Sequence, residues 1–163
     1  MDEVPDLVKV FVDLPNHWNT NGESMWAKPL GDDLYELHNS PFSAYDLNYL
    51  DVVVALSAEP RLKPQVIRVE RRSGHQTLRL IFIAETARLE RDNILAKINE
   101  LGATYENANS KLYSIDIPRT EDYQPLCDQL WNWEQSGTLE YETCEARVPG
   151  SFDGAPKDSQ SLT

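Results

Sequence analysis

Apolar and polar positions alternate along the first half of the chain with the period of two expected of strands. Across Leu7–Leu14, Val8, Val10 and Val12 fall on one side and Lys9, Phe11 and Asp13 on the other. Met1–Asp6 before it reads as a frayed end. Pro15–Gly22 is a loop rich in turn formers with Trp18 in its middle, which either folds back onto the core, the favoured reading for so large an aromatic, or stands exposed for binding. Glu23–Ala27 and Leu34–Asn39 read as a hairpin joined through Leu30-Gly31-Asp32-Asp33. Pro41–Tyr45 begins a crossover. Asp51–Ala58, rich in β-branched residues, then pairs with Gln65–Arg71 across a turn at Glu59–Pro64. Short strands with turns every few residues predict a small SH3-like β-barrel or rolled sheet over residues 7–76.

Helical spacing enters in the second half. Thr77–Ala84 is a strand with Leu78, Leu80 and Phe82 at one parity and Ile81 and Ile83 at the other, which predicts an interior strand covered on both faces. Leu89, Ile94, Leu95, Ile98 and Leu101 form the stripe of a helix over Ala87–Leu101, capped by Thr86 or Glu85 and terminated by Gly102. Ala103–Glu106 and Lys111–Ile117 make a second hairpin. Thr120 is the expected cap of a helix over Glu121–Gln135, with Glu121 and Asp122 in its first turn. Its inner face carries Tyr123, Leu126, Cys127, Leu130 and Trp131 or Trp133. Leu139–Arg147 closes the unit. The order β-α-β-β-α-β over residues 77–148 is that of a ferredoxin-like unit.

The expected fold class is therefore α+β, with the N-terminal barrel packed on the C-terminal ferredoxin-like unit. The all-β half is the nearest cover for the open face of the second sheet. The seam between the halves falls in Gln65–Ile83, and Pro149–Thr163 reads as a disordered tail by composition.

Charge adds an asymmetry. The 163-residue chain has a formal net charge of -12. That argues against nucleic acid or an anionic membrane as partner and favours a basic protein, or simply solubility. Seven acids and no Lys or Arg lie between Thr120 and Ala146, whereas Arg61–Arg79 holds six bases against Glu70 alone. No stretch reaches the ~18 apolar residues of a bilayer span. The acidic start lacks the features of a secretory signal, and Cys127 and Cys144 do not make a disulfide framework; each reads as a small buried hydrophobe. A cytoplasmic location is the simplest expectation.

Two stretches carry candidate chemistry. Arg72, Ser73, Gly74 and His75 form an anion-binding turn on one reading, with the glycine admitting backbone amides and the side chains supplying charge. On the other reading they are an ordinary turn between the two halves, and that architectural role comes first. Asp128, Trp131, Glu134, Glu140 and Glu142 combine aromatic anchors with carboxylates, the residue types of an interface for a basic partner. His17, His38 and His75 stand in separate segments without metal-ligand spacing, and neither a phosphate loop nor a nucleophile elbow occurs. No cofactor, metal or catalytic residue is expected, and a third, weaker reading keeps His75 as the general base of an enzyme.

Glu23-Ser24-Met25-Trp26-Ala27, Pro41-Phe42-Ser43-Ala44-Tyr45, Asp51-Val52-Val53 and Arg72-Ser73-Gly74-His75 resemble, in this order, the recurrent blocks of the bacterial domain-of-unknown-function family numbered 4265. The resemblance spans about Val8 to Arg147. The family pattern often carries glycine where Asp46 and Leu50 stand here. It implies a small bacterial cytosolic protein and brings no activity with it. The leading expectation is a non-enzymatic acidic protein-binding module, on analogy an immunity-type protein that neutralises a basic toxin or enzyme domain. The alternative is a small-anion or metabolite-sensing regulatory domain using Arg72 and His75.

Overall fold

The computed structural model describes residues 6–153. The frayed start, apart from residue 6, and the tail from residue 154 lie outside the described residues. Alternation in the first half yields strands β1 (Val8–Asp13), β2 (Gly22–Gly31), β3 (Leu34–Leu37), β4 (Val52–Leu56) and β5 (Gln65–Arg71). They form a closed barrel in the order β1-β2-β3-β4-β5, with β1 meeting β5 in parallel at Phe11 and Gln65. Inward positions Val10, Val12, Met25, Ala27, Leu37, Val53, Ala55 and Val66 fill its core. Asp32 and Asp33, at φ 55° and 63°, make the two-residue turn between β2 and β3, where positive φ matches the strand twist.

The second half follows as β6 (Gln76–Phe82), α1 (Arg88–Glu100), β7 (Thr104–Asn107), β8 (Leu112–Ile117), α2 (Gln124–Gln135) and β9 (Leu139–Thr143). The sheet order is β7-β8-β6-β9 with every neighbouring pair antiparallel, so β6 is an interior strand as expected. Ile94, Leu95 and Ile98 of α1 and Leu126 and Leu130 of α2 join Leu78, Leu80, Phe82, Ile115, Ile117 and Leu139 in one core. The whole is a mixed α+β protein: a closed five-stranded barrel and a four-stranded sheet with two helices.

Several expectations are corrected. Leu89 is 72% exposed, because α1 begins at Arg88 and its first turn stands clear of the sheet. Ala87 occupies the cap position without a side-chain bond, and the Thr86 hydroxyl donates instead to Thr138 O at 2.7 Å. α2 begins at Gln124 rather than Glu121. Pro125 lacks an N–H and fits only a first helical turn, so it sets the start, and Asp122 accepts from Gln124 N at 3.0 Å just outside. Trp131 is 54% exposed, so Trp133 is the tryptophan packed inward. β9 ends at Thr143, where Cys144 O accepts from Asp46 N at 2.7 Å; Cys144 is buried and Cys127 half-buried. The first residues of the expected tail dock: Phe152 packs on the barrel core, and its carbonyl accepts from Tyr45 N at 2.9 Å.

The largest correction concerns β6. Leu78, Leu80 and Phe82 face the helices, but the opposite parity is not an apolar face. Thr77 and Arg79 are buried there, Ile81 is 41% exposed, and Ile83 lies past the strand end. The sheet is covered on both sides, by apolar contacts on one and polar contacts on the other.

Candidate functional site at the seam between barrel and sheet

Strand register aligns the polar face in rows. Glu142, Arg79, Ser114 and Glu106 lie side by side across β9, β6, β8 and β7, and Thr77, Asp116 and Thr104 form the next row across β6, β8 and β7. Residues 40–49, the crossover between β3 and β4, strap over these rows. Arg79 is the hub. Its side chain is 3% exposed, its Nε donates to Glu142 at 2.8 Å, and Nη1 and Nη2 donate to the carbonyls of Ala44 (2.7 Å), Pro41 (3.3 Å) and Ser43 (3.3 Å). The Ser114 hydroxyl donates to the same Pro41 carbonyl at 2.8 Å, and Tyr45 OH donates to Glu142 at 2.6 Å. Burial and that bond to Glu142 raise the Tyr45 pKa. A buried guanidinium needs a complete set of acceptors, and the strap supplies it.

The barrel holds the strap from the other side. Glu23 on β2 accepts from the backbone amides of Phe42, Ser43 and Ala44, so its carboxylate orders the segment whose carbonyls receive Arg79. Asp51, fully buried, accepts from Asn48 N at 2.9 Å and Ser73 N at 2.8 Å, tying the strap's end to the turn between β5 and β6. Asp46 and Leu50 in this stretch adopt φ 65° and 68°, the left-handed region.

The Arg72–His75 turn is bonded into the same seam. Arg72 donates to Asp46 O at 2.7 Å and Asp46 Oδ2 at 2.9 Å, and lies 3.6 Å from Asp51. The Ser73 hydroxyl donates to Tyr49 O at 2.7 Å and accepts from His75 N at 3.1 Å. Gly74 has φ 92°, and a Cβ there would stand 2.8 Å from the Arg119 side chain. His75 Nδ1 lies 2.8 and 3.0 Å from the oxygens of Asp116. The charges suggested for an anion are thus already matched by the chain's own carboxylates.

The acidic set divides between two faces. Asp128, Trp131 and Glu134 are on α2, where Asp128 accepts from Gln124 Nε2 at 2.8 Å and Glu134 accepts from Tyr141 N at 3.1 Å. Glu140 and Glu142 are paired with Ile81 and Arg79 on the opposite face of the sheet. Glu142 is bound to Arg79 and Tyr45, whereas Glu140 is exposed and makes no ion pair or side-chain hydrogen bond among the described residues.

Of the cavities that border the strap, two stand out by their lining. One, of about 240 Å³, is lined by Trp18, Phe42, Ile81, Leu112 and Glu140, with Arg79 and Glu142 contributing beneath. Trp18 is not folded onto the core but is 65% exposed. The buried His17 ring explains this. Its Nδ1 accepts from Asn19 N (3.0 Å) and Thr20 N (3.2 Å), and its ring stacks on Trp18 at 5.6 Å, so the loop turns outward. Burial, together with the Arg79 charge, lowers the His17 pKa, in keeping with a neutral acceptor ring. The other cavity, of about 410 Å³, is lined by His38, Ser40, Tyr49, Thr104, Glu106, Ser114 and Asp116. Sequence patterning held an exposed Trp18 as the less favoured of two readings and missed Arg79 as a site residue. The signal for Arg79 is a lone charge within the apolar run of β6, which demands a buried partner.

The fold and seam define a small barrel-and-sheet protein whose halves are joined by a polar strap. The chain belongs to the family described as Domain of unknown function (DUF4265), whose match covers residues 23–141. A solved structure described as a novel crystal structure of a hypothetical protein from Neisseria gonorrhoeae is similar in fold, with TM-score 0.71 and 16% identity over 85% of this chain and 95% of that one. Curated proteins gave no match. Among the described residues no helix is long and apolar enough to cross a membrane.

Proposed function

We propose that this protein is a non-enzymatic acidic binding module, of the immunity type and cytoplasmic, that docks a basic protein through the groove between the Trp18 loop and the end of the sheet around Ile81 and Glu140 that the strap leaves exposed. The observation that carries the reading is Trp18: a large aromatic held outward at 65% exposure beside the exposed Ile81 and the unpaired Glu140. Exposed aromatics on rigid supports are typical interface anchors. Glu140 and the net charge of -12 favour a Lys or Arg side chain, its stem on Trp18 and Ile81 and its head at the carboxylate. The order β-α-β-β-α-β and the sheet order β7-β8-β6-β9 support reading the second unit as ferredoxin-like, and the closed five-stranded barrel supports an SH3-like first unit.

The test is affinity capture from the native host, comparing the wild type with Trp18→Ala, Glu140→Lys and the α2 variant Trp131→Ala. A basic protein retained by the wild type and by Trp131→Ala, and weakened about 30-fold or more by Trp18→Ala, is the expected outcome. Capture insensitive to Trp18 and Glu140 would refute it.

A further inference from the structure

The second cavity has a chemistry of its own. Its floor is the polar face of β7 and β8, with Thr104, Glu106, Ser114 and Asp116, and its wall is His38, Ser40 and Tyr49. At about 410 Å³ it has the size of a small-molecule site, and no Lys or Arg lines it. Thr104 pairs with Asp116 and Glu106 with Ser114, so Glu106 and Asp116 are diagonal neighbours on one face. Diagonal positions lie about 7–8 Å apart, a span at which one nitrogen donor group between the carboxylates reaches both.

Each carboxylate keeps acceptor capacity. Glu106 accepts from Ser40 N through Oε2, at 2.7 Å, and its Oε1 has no partner among the described residues. Asp116 is 8% exposed, and its sole partner in the described chain is His75 Nδ1, which leaves lone pairs of a nearly buried group open. Partial burial of its carboxyl raises the pKa of Glu106, an otherwise exposed residue, and the Asp116 charge adds to it; burial raises that of Asp116, where His75 offsets part of the rise. Tyr49 is set between two imidazoles, with ring centroids 6.3 Å from His38 and 5.4 Å from His75, and forms an aromatic wall in a fixed orientation. Two under-compensated carboxylates, an aromatic wall and a threonine hydroxyl in one cleft complement a positive charge carried on a short carbon chain. Among the described residues no three His, Cys, Asp or Glu side chains are grouped to hold a metal, so the donor set suits an organic cation better than a bare ion.

We propose that this cleft binds a small organic cation, an alkylamine or alkylguanidine, with its charged nitrogen between Glu106 and Asp116 and its carbon chain along Tyr49. The site is separate from the Trp18 groove and does not depend on it.

Calorimetry and thermal melting with agmatine and putrescine, against 1,4-butanediol at matched ionic strength, test the assignment. Either cation at saturation is expected to raise Tm by about 2–4 °C, and butanediol to leave it unchanged. Glu106→Gln keeps an acceptor for Ser40 N–H while removing the charge, and is expected to weaken cation binding about tenfold or more. Asp116→Asn is expected to do the same. Should that variant fail to fold, the Glu106→Gln comparison decides alone. Glu140→Gln should bind the cations as the wild type does. No response to either cation, an equal response to butanediol, or full affinity in Glu106→Gln would each overturn the proposal. Loss of cation binding in Glu140→Gln would do so too, by moving the ligand to the other groove.

Discussion

The two faces of the four-stranded sheet are covered by opposite means. On the helix side, Leu78, Leu80 and Phe82 meet α1 and α2 through apolar contacts that tolerate exchange for residues of similar size. On the strap side, Arg79 and Ser114 meet backbone carbonyls and Thr77 donates to the Asn48 side-chain amide oxygen, each in a particular geometry. The apolar face holds the second unit together. The polar face fixes where the barrel sits on it, because directional bonds accept only one registration. The four sequence blocks that carry the resemblance to the family meet at this seam: Glu23, Pro41–Tyr45, Asp51 and Arg72–His75 all bond within it.

Exchanging one residue on each face gives the largest test of that contrast. Leu80→Ala is expected to cost about 2–5 kcal/mol in urea unfolding, the range for a buried leucine. Arg79→Ala is expected to cost about 3–5 kcal/mol, since it leaves the Ala44 and Ser43 carbonyls without their guanidinium donor and Pro41 O and Glu142 with one donor fewer inside the seam. The two should differ in kind. Leu80→Met is expected to recover most of the loss on its face, while Arg79→Lys should remain well below wild type, because an ammonium cannot reproduce the fork to Ala44, Pro41, Ser43 and Glu142. An Arg79→Lys variant as stable as the wild type would erase the distinction.

A smaller effect is expected one step back, at Glu23. Its carboxylate accepts three strap amides, and Glu23→Gln is expected to cost about 1.5–3 kcal/mol by losing the charge in those bonds. Because those amides flank the carbonyls that hold Arg79, the two sites should couple. In a double-mutant cycle the combined loss is expected to fall short of the sum by more than about 0.5 kcal/mol. Strict additivity would mean that the strap keeps its shape without Glu23.

The same contrast explains what was readable before the structure. Period-two alternation identified β1, and three- and four-residue spacing identified Ile94, Leu95 and Ile98, because water exclusion leaves a periodic trace in the sequence. The strap side leaves none. Ile81 and Ile83 suggested an apolar second face, yet the residues that decide it are Thr77 and Arg79, whose partners in the strap lie 29 to 38 positions away in a segment without regular structure. Backbone acceptors have no residue type, so no pattern announces them. An exposed Trp18 was the less favoured reading for a related reason. Its exposure is set by His17 accepting two amides from the same loop, a local bond that a preference for burying aromatics does not register. In the acidic set, Glu140 and Glu142 were separated from Asp128, Trp131 and Glu134 by the sheet itself, since strand parity sends them to the side opposite α2.

The smallest effect tests the strap's backbone. Asp46 and Leu50 both hold positive φ, a region that glycine enters at no steric cost. Asp46 has a local reason to stay: Asp tolerates this region better than most residues, and its carboxylate receives Arg72 at 2.9 Å. Leu50 has no such compensation, and a bulky side chain at φ 68° stores strain of about 1–2 kcal/mol. Its half-buried side chain also makes contacts, so Leu50→Gly alone would mix two effects. Comparison with Leu50→Ala separates them, because alanine removes the contacts and keeps the strain. Leu50→Gly is expected to unfold at higher urea than Leu50→Ala, by about 1 kcal/mol of stability, although glycine gains more chain entropy on unfolding. The opposite order would mean that the left-handed turn before Asp51 relaxes without cost, and that the seam's geometry is set by its hydrogen bonds alone.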